Sequence, residues 1–218
     1  MISYKKDFLE LALEFDVLRF GRFELKSGRV SPYFFNSGYF NTGFAGAKLG
    51  RCYATAIAAL DFEFDMLFGP AYKGIPLTVL TAAALAEHHG RDVPFAYNRK
   101  ERKDHGEGGH AVGAPLAGRV LIVDDVITAG TAIREAASMV GAAGASLGGI
   151  LVAFDREEIG VAGDLPTTRQ VEVEFEAPVR SMASFTDLIE HLEANPTFAS
   201  RVPAMRDYRR RYGAALPT

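Results

Sequence analysis

The chain has 218 residues, 48% of them hydrophobic and 23% charged. That supports one fairly large domain with a sizeable core and excludes disorder along the whole length. A formal net charge of -3 excludes the global positive field that nucleic acid selects, and the single cysteine, Cys52, excludes an intrachain disulfide and suits a reducing cytosol.

Residues 3–18 place Phe8, Leu11, Ala12 and Phe15 at helical spacing and predict an amphipathic helix. Charges interleave with the apolar residues there, and no later run is long enough to span a bilayer, so the expectation is a cytoplasmic protein with neither membrane nor nucleic-acid partners. FGRFELKSGRVSPYFFN, residues 20–36, is rich in aromatics and punctuated by Gly28 and Pro32; it predicts short strands around a turn, a hood within about residues 1–40 outside the main sheet. Residues 44–60 predict a helix in which Cys52 packs among Leu49, Tyr53 and Ile57.

From residue 64 the pattern alternates. FDMLFG, residues 64–69, is a compact apolar run ending at Gly69-Pro70, and a helix from Ile75 to about His88 follows with Pro76 in its first turn. A strand at 93–97, a long polar loop, a strand at 120–123 and a helix at 131–141 come next. In that last helix Ile133, Ala137 and Val140 line one face, and Gly141 and Gly144 provide the stop. The apolar run ILVAFD then ends at Asp155. Repeated strand-helix units with near-continuous apolar strands predict a single α/β domain over residues 1–218, a central, mostly parallel sheet with helices on both faces. Ligands of such sheets bind beyond the carboxyl ends of the strands. In the tail, Arg206 and Arg209 to Arg211, interrupted by Asp207 and two tyrosines, fit a solvated terminal helix.

The sharpest local signal is VLIVDDVITAGTA, residues 120–132. A buried strand delivers Asp124 and Asp125 to the sheet's edge, and the loop Val126-Ile127-Thr128-Ala129-Gly130 runs into a helix beginning at Thr131-Ala132. Such a helix start exposes unpaired N–H groups and partial positive charge, which suits a phosphate; the threonine hydroxyls add donors and Gly130 permits close approach. Two carboxylates would repel a bare phosphate, but they suit a ligand that also carries hydroxyls or magnesium one step away, as a ribose 5-phosphate does. Neither a Walker A loop nor a dinucleotide fingerprint is present.

Four apolar residues, two acids, two apolar residues and a T-x-G-T loop together resemble the signature of the type I phosphoribosyltransferases, which bind phosphoribosyl pyrophosphate (PRPP). Three further segments resemble the orotate branch of that family: KSGRVSPYFFN at 26–36, FGPAYKGIPL at 68–77 and NRKERKDHGEGGHAVGAP at 98–115. The resemblance implies that Lys26 reaches the phosphoribosyl ligand, that Phe34 and Phe35 bracket the flat base, that Thr128 also contacts it, and that Tyr72 and Lys73 hold pyrophosphate in a strained turn. It implies, too, that residues 98–115 form a flexible lid closing over the partner's site in a homodimer, with Arg99, Lys100, Lys103 and His105 on pyrophosphate.

On the residues alone, clustered cations on a long glycine-hinged loop already suit a polyanionic leaving group. Arg156 offers forked donors to a carboxylate, as the family's matching arginine does to orotate; otherwise its nearest partners in sequence are Asp155 and Glu157. The expected activity is magnesium-dependent transfer of phosphoribosyl from PRPP to orotate, with Lys73, Arg99, Lys103, His105 and Asp125 as catalytic groups. Magnesium would arrive with PRPP, near Asp124 and Asp125. The signature alone also fits a transferase for another base, or a non-enzymatic PRPP-sensing regulator; the cationic loop and the lack of a basic helix-turn-helix argue against the regulator.

Overall fold

Helix α1 (Ser3–Glu14) buries Phe8, Leu9, Leu11 and Ala12 on one stripe and stops short of the expected residue 18. The chain reverses at Asp16, whose φ of 55° lies in the left-handed region, and Val17 is already in the core. The computed structural model describes residues 3–25, 27–103, 109–160 and 165–214. Strands β1 (Leu18–Glu24) and β2 (Val30–Phe35) pair antiparallel as a separate two-stranded sheet, the expected hood.

Helix α2 (Gly43–Ala58) follows, capped by Thr42, whose hydroxyl accepts from the Ala45 N–H. The main sheet is then laid down by β3 (Met66–Gly69), β4 (Phe95–Lys103), β5 (Gly109–Gly113), β6 (Arg119–Asp124), β7 (Ser146–Asp155) and β8 (Val179–Ser184), in the spatial order β5-β4-β3-β6-β7-β8. Every neighbouring pair is parallel except β4 and β5. Helices α3 (Gly74–His89), α4 (Thr131–Ala142) and α5 (Thr167–Phe175) are the crossovers; α6 (Phe185–Glu193) and α7 (Val202–Tyr212) close the fold.

Buried strands need apolar side chains on both faces, and β6 supplies them by simple alternation. Leu121 and Val123 join Leu67, Leu151, Tyr53 and Leu77 in one core, while Val120 and Ile122 join Met66, Phe68, Ile133, Val140 and Val171 in the other. The expected parallel sheet with two covered faces is therefore present. Cys52 is half-buried in α2, and burial pushes its thiol up to about 11, which leaves it a packing group.

Three expectations need correction. Residues 98–115 are not simply a loop: Asn98–Lys103 continue β4, and Gly109–Gly113 pair with it, Tyr97 opposite Val112 and Asn98 opposite Ala111. This arm runs past the core, where ladder hydrogen bonds suffice and apolar anchors are not required. In α4 the buried partner of Ile133 and Val140 is Ala136, and Ala137 is only half-buried. The terminal helix α7 is not merely solvated, since Met205 and Tyr208 are buried in the first core. Lys26 and His105 lie outside the described residues, as does the side chain of Lys103.

The turn from β3 into α3 is the tightest packing near the sheet's carboxyl edge. A Cβ on Gly69 would run into the Gly74 carbonyl oxygen and sit 2.6 Å from Thr78 Oγ1. Gly69→Ala should therefore lower the melting temperature by roughly 5–10 °C, the scale of overpacking a closed site in a domain of this size. A thermal melt within about 1 °C of the parent would show that this turn is looser than the packing implies.

Candidate active site

Strand β6 ends in two buried acids. Asp124 Oδ1 accepts from the Asp125 N–H at 2.9 Å, and the Asp124 carbonyl accepts from the buried Tyr53 hydroxyl at 2.8 Å. Asp125 Oδ1 accepts from the Val126 N–H, while its Oδ2 takes two donors from distant segments: Ser37 Oγ and Lys73 Nζ, each at 2.7 Å. Its carbonyl oxygen also accepts from the N–H groups of Ala153 and Phe154 at the end of β7. One residue thus joins the ends of β6 and β7, the turn after β3 and the chain leaving the hood.

Beyond the acids, Val126 is half-buried and Ile127 buried, anchoring the loop, while Thr128 and Ala129 are exposed. Gly130, at φ 75°, turns the chain into α4, where Thr131 is exposed and Ala132 half-buried. Among the described residues no side chain caps that helix start. Its first-turn amides consequently face outward beside two exposed threonines, an arrangement built for an anion. Arg134 braces the loop from behind, donating to the Ala129 carbonyl at 2.7 Å while its other edge grips Glu174 of α5.

The parallel feature after β3 lies alongside. Lys73 precedes α3, whose start also lacks a side-chain cap. Gly74 is there because a Cβ would lie 2.6 Å from Pro70 Cδ and 2.9 Å from the Val123 carbonyl oxygen of β6. The Ala71–Tyr72 peptide is cis, and the Ala71 N–H is held by the buried Asn98 side chain of β4. Tyr72 is 68% exposed, and Lys100 Nζ stands 5.6 Å from its ring centroid, so the arm bends toward this turn. Arg99, half-buried, sits beside Lys100 on the arm.

Two expected base contacts are placed differently from each other. Strand alternation puts the Phe35 ring in the core, stacked on Phe154 at 5.2 Å, while the Phe34 ring lies on the other face, stacked on Phe23 at 5.4 Å. The two rings therefore do not bracket a common slot. It is the next residues, Asn36 and Ser37, that reach Lys73 and Asp125. Arg156, two residues beyond Phe154, is ion-paired neither to Asp155 nor to Glu157 but to Glu158, with Nε to Oε1 at 2.7 Å. Asp155 is engaged by Thr168 and Glu157 by Thr186.

Ser37, Asn98 and Arg134 are supporting residues that sequence reasoning passed over. Their partners lie 88, 27 and up to 40 positions away, so no local pattern announces them. A cavity of about 450 Å³ opens elsewhere, between α1, α2, α5 and β8, and meets this neighbourhood only through Asp155 and Glu157. The site itself is an open ledge along the carboxyl edges of β3, β6 and β7. Among the described residues no group of three or more His, Cys, Asp and Glu is placed to hold a metal. The paired acids, one already committed to Lys73, do not make a resident metal site.

Burial raises the Asp124 carboxyl to about 7, and the neighbouring Asp125 charge pushes it the same way. The native state then holds a proton that the unfolded chain releases near 4. Stability from that proton is full below the unfolded value and is lost as pH rises through about 7. Asp124→Asn keeps an acceptor for the Asp125 N–H and cannot ionise. Its stability relative to the parent should rise between about pH 4 and pH 7, by up to the order of 3–4 kcal/mol. A melting-temperature difference that stays flat over that range would mean Asp124 is ionised throughout.

The sequence matches the family described as "Phosphoribosyl transferase domain" over residues 45–178. It is 54% identical over 213 residues to the orotate phosphoribosyltransferase of Yersinia enterocolitica, covering 98% of this chain and all of that one. The corresponding Yersinia pestis protein is also 54% identical, over 216 residues, 99% of this chain and all of the relative. The crystal structure of the Francisella tularensis orotate phosphoribosyltransferase superposes with a TM-score of 0.85 at 40% identity, covering 95% of this chain and 99% of that one. With the fold, the signature loop and whole-length relatives in agreement, the chain belongs to the orotate branch of the phosphoribosyltransferase family.

Proposed function

We propose that this chain transfers the 5-phosphoribosyl group of PRPP to orotate, giving orotidine 5-monophosphate and pyrophosphate, a step of de novo pyrimidine (UMP) biosynthesis. The observation that carries the reading is the convergence on Asp125, which sets an uncapped helix start, twin acids and Lys73 along one ledge. It does so in a chain that matches orotate phosphoribosyltransferases from end to end.

The ribose phosphate lies on the amides of residues 128–132, and the ribose hydroxyls meet Asp124 and Asp125. The bond from the anomeric carbon to the pyrophosphate oxygen breaks as a bond to the orotate ring nitrogen forms and that nitrogen's N–H proton passes to solvent, through an oxocarbenium-like transition state. The twin carboxylates favour the cationic sugar, and Lys73, Arg99, Lys100 and Lys103 neutralise charge growing on the leaving group. Lys103 or His105 donates the proton that the pyrophosphate takes up. PRPP enters as its magnesium complex, the metal supplying further neutralisation of the pyrophosphate.

For the base, the contacts are the main chain at Phe34 and Phe35, Thr128 and the guanidinium of Arg156; Lys26 is assigned to the phosphoribosyl group. The arm over residues 98–115 serves as a lid that reaches the partner's site in a homodimer, and the enzyme works in the cytoplasm. Among the described residues no helix is long and apolar enough to cross a membrane.

The direct test is loss of orotate's ultraviolet absorbance on adding PRPP and magnesium, run beside a panel of uracil, hypoxanthine and adenine. Consumption of another base in preference to orotate would overturn the assignment. Lys103→Ala should keep the parent's melting temperature and lower turnover on the order of a hundredfold, the scale of losing one positioned charge. Unchanged turnover at saturating magnesium would remove the arm from the chemistry.

A further inference from the structure

Arg156 sits in a cluster assembled from three parts of the chain. Its Nε and Nη2 both face Glu158 Oε1, at 2.7 and 2.5 Å, and its guanidinium carbon lies 4.6 Å above the Tyr33 ring of the hood. Glu158 Oε1 also accepts from the Tyr208 hydroxyl of α7 at 2.8 Å, and Glu158 Oε2 accepts from Arg29 Nη1 at 3.0 Å. Arg29 in turn donates to the Ile159 carbonyl and lies over the Tyr212 ring. The main chain is strapped as well: the Ala214 N–H donates to the Glu157 carbonyl, and the Ile159 N–H to that of Tyr212.

Two features of this cluster point to a role. A planar guanidinium has two usable edges beside carboxylates, and Glu158 takes the Nε–Nη2 edge. Nη2 also donates to the Tyr208 hydroxyl at 3.4 Å, whereas Nη1 has no hydrogen-bond partner among the described residues, so Nη1 is the donor left for a ligand. The charges do not cancel either. Two guanidiniums, Arg29 and Arg156, share one carboxylate, Glu158, because Asp155 and Glu157 are turned to Thr168 and Thr186. Among the described residues the cluster is one negative charge short.

We infer that Glu158, supported by Tyr208 and Arg29, is a positioning residue that clamps the Nε–Nη2 edge of Arg156 so that its Nη1 end meets the carboxylate of the base. The inference rests on the proposed orotate reaction and names what orients its base-selecting arginine. Glu158 is a clamp and not a competitor for that arginine, and the two roles predict opposite results. Removing a competing anion leaves Arg156 more attractive to orotate, whereas removing a clamp leaves a side chain with several free rotamers that must be reordered on binding.

The experiment compares steady-state kinetics with orotate and PRPP for the parent, Glu158→Ala, Glu158→Gln and Tyr208→Phe. Glu158→Ala should raise the KM for orotate about tenfold or more, the scale of one charge-assisted hydrogen bond. Its KM for PRPP and its kcat should stay within about twofold of the parent. Glu158→Gln, which keeps an acceptor on the Nε–Nη2 edge, should recover most of the loss. Tyr208→Phe, a deletion of one hydroxyl that keeps the packed ring, should raise the orotate KM about threefold. An orotate KM that is unchanged or lower in Glu158→Ala overturns the clamp, as does a parallel rise in the KM for PRPP. A parent that leaves orotate unconsumed while using another base sinks the underlying reading instead, and the clamp with it.

Discussion

A carboxylate 6% exposed is costly unless donors surround it, and Asp125 gathers its donors from three places that have no local reason to meet. Ser37 comes from the chain leaving the hood, Lys73 from the turn after β3 and the Val126 N–H from the start of the phosphate loop. Losing one hydrogen-bond donor to a buried charge typically costs about 1–3 kcal/mol, so the folded state is tied to this arrangement. The same contacts register β3 against β6 at their carboxyl ends and bring the starts of α3 and α4 to one ledge. The anion site thus follows from satisfying a buried acid.

That ledge divides its electrostatics between rigid and movable parts. Main-chain amides at α4 are held by Gly130, by the buried Ile127 and by Arg134 behind the loop, so their direction is set before a ligand arrives. The cationic side chains are long and largely exposed, with Lys73 reaching from the turn after β3 and Lys100 from β4. Asp124 adds a third behaviour. Burial brings its carboxyl to about 7, so near neutral pH a proton limits the repulsion between two acids only one residue apart. Hydroxyl donors that approach the pair favour its ionised form, whereas an approaching anion favours the protonated one. Asp124 therefore suits a sugar better than a bare anion.

The parts of this site that were legible in the sequence are those whose meaning is local. Residues 120–132 read nearly one by one, because an apolar strand, two acids and a small-residue loop must be contiguous to work. Partners remote in sequence were not legible. Arg156 pairs with Glu158 although Glu157 is adjacent, since Glu157 adopts φ 51° and turns its carboxylate to Thr186. The arm at 98–103 looked like a loop because a ladder beyond the core carries no apolar alternation. Phe34 and Phe35 invited a shared role, yet a strand sends neighbours to opposite faces, and the sheet needed only one of them. One local signal went unread: Ser184 and Asp187 form a capping box at the start of α6, a spacing plain in the residues alone.

This contrast extends to what the two ends of the ligand require. A phosphate is gripped by amides, which every residue has, so a short segment with the right turn suffices and the same motif serves many bases. A base with a carboxylate needs a particular guanidinium held at a particular angle, and no single segment of this chain supplies that. Tyr33 and Arg29 come from the hood, Glu158 from the turn after β7, and Tyr208 and Tyr212 from the final helix. The hood and α7 flank the main sheet and contribute nothing to the phosphate loop among the contacts described, yet both close on Arg156 and its partner. On the proposed role of Arg156, their packing is how a fold with a general sugar-phosphate site acquires selectivity for one base.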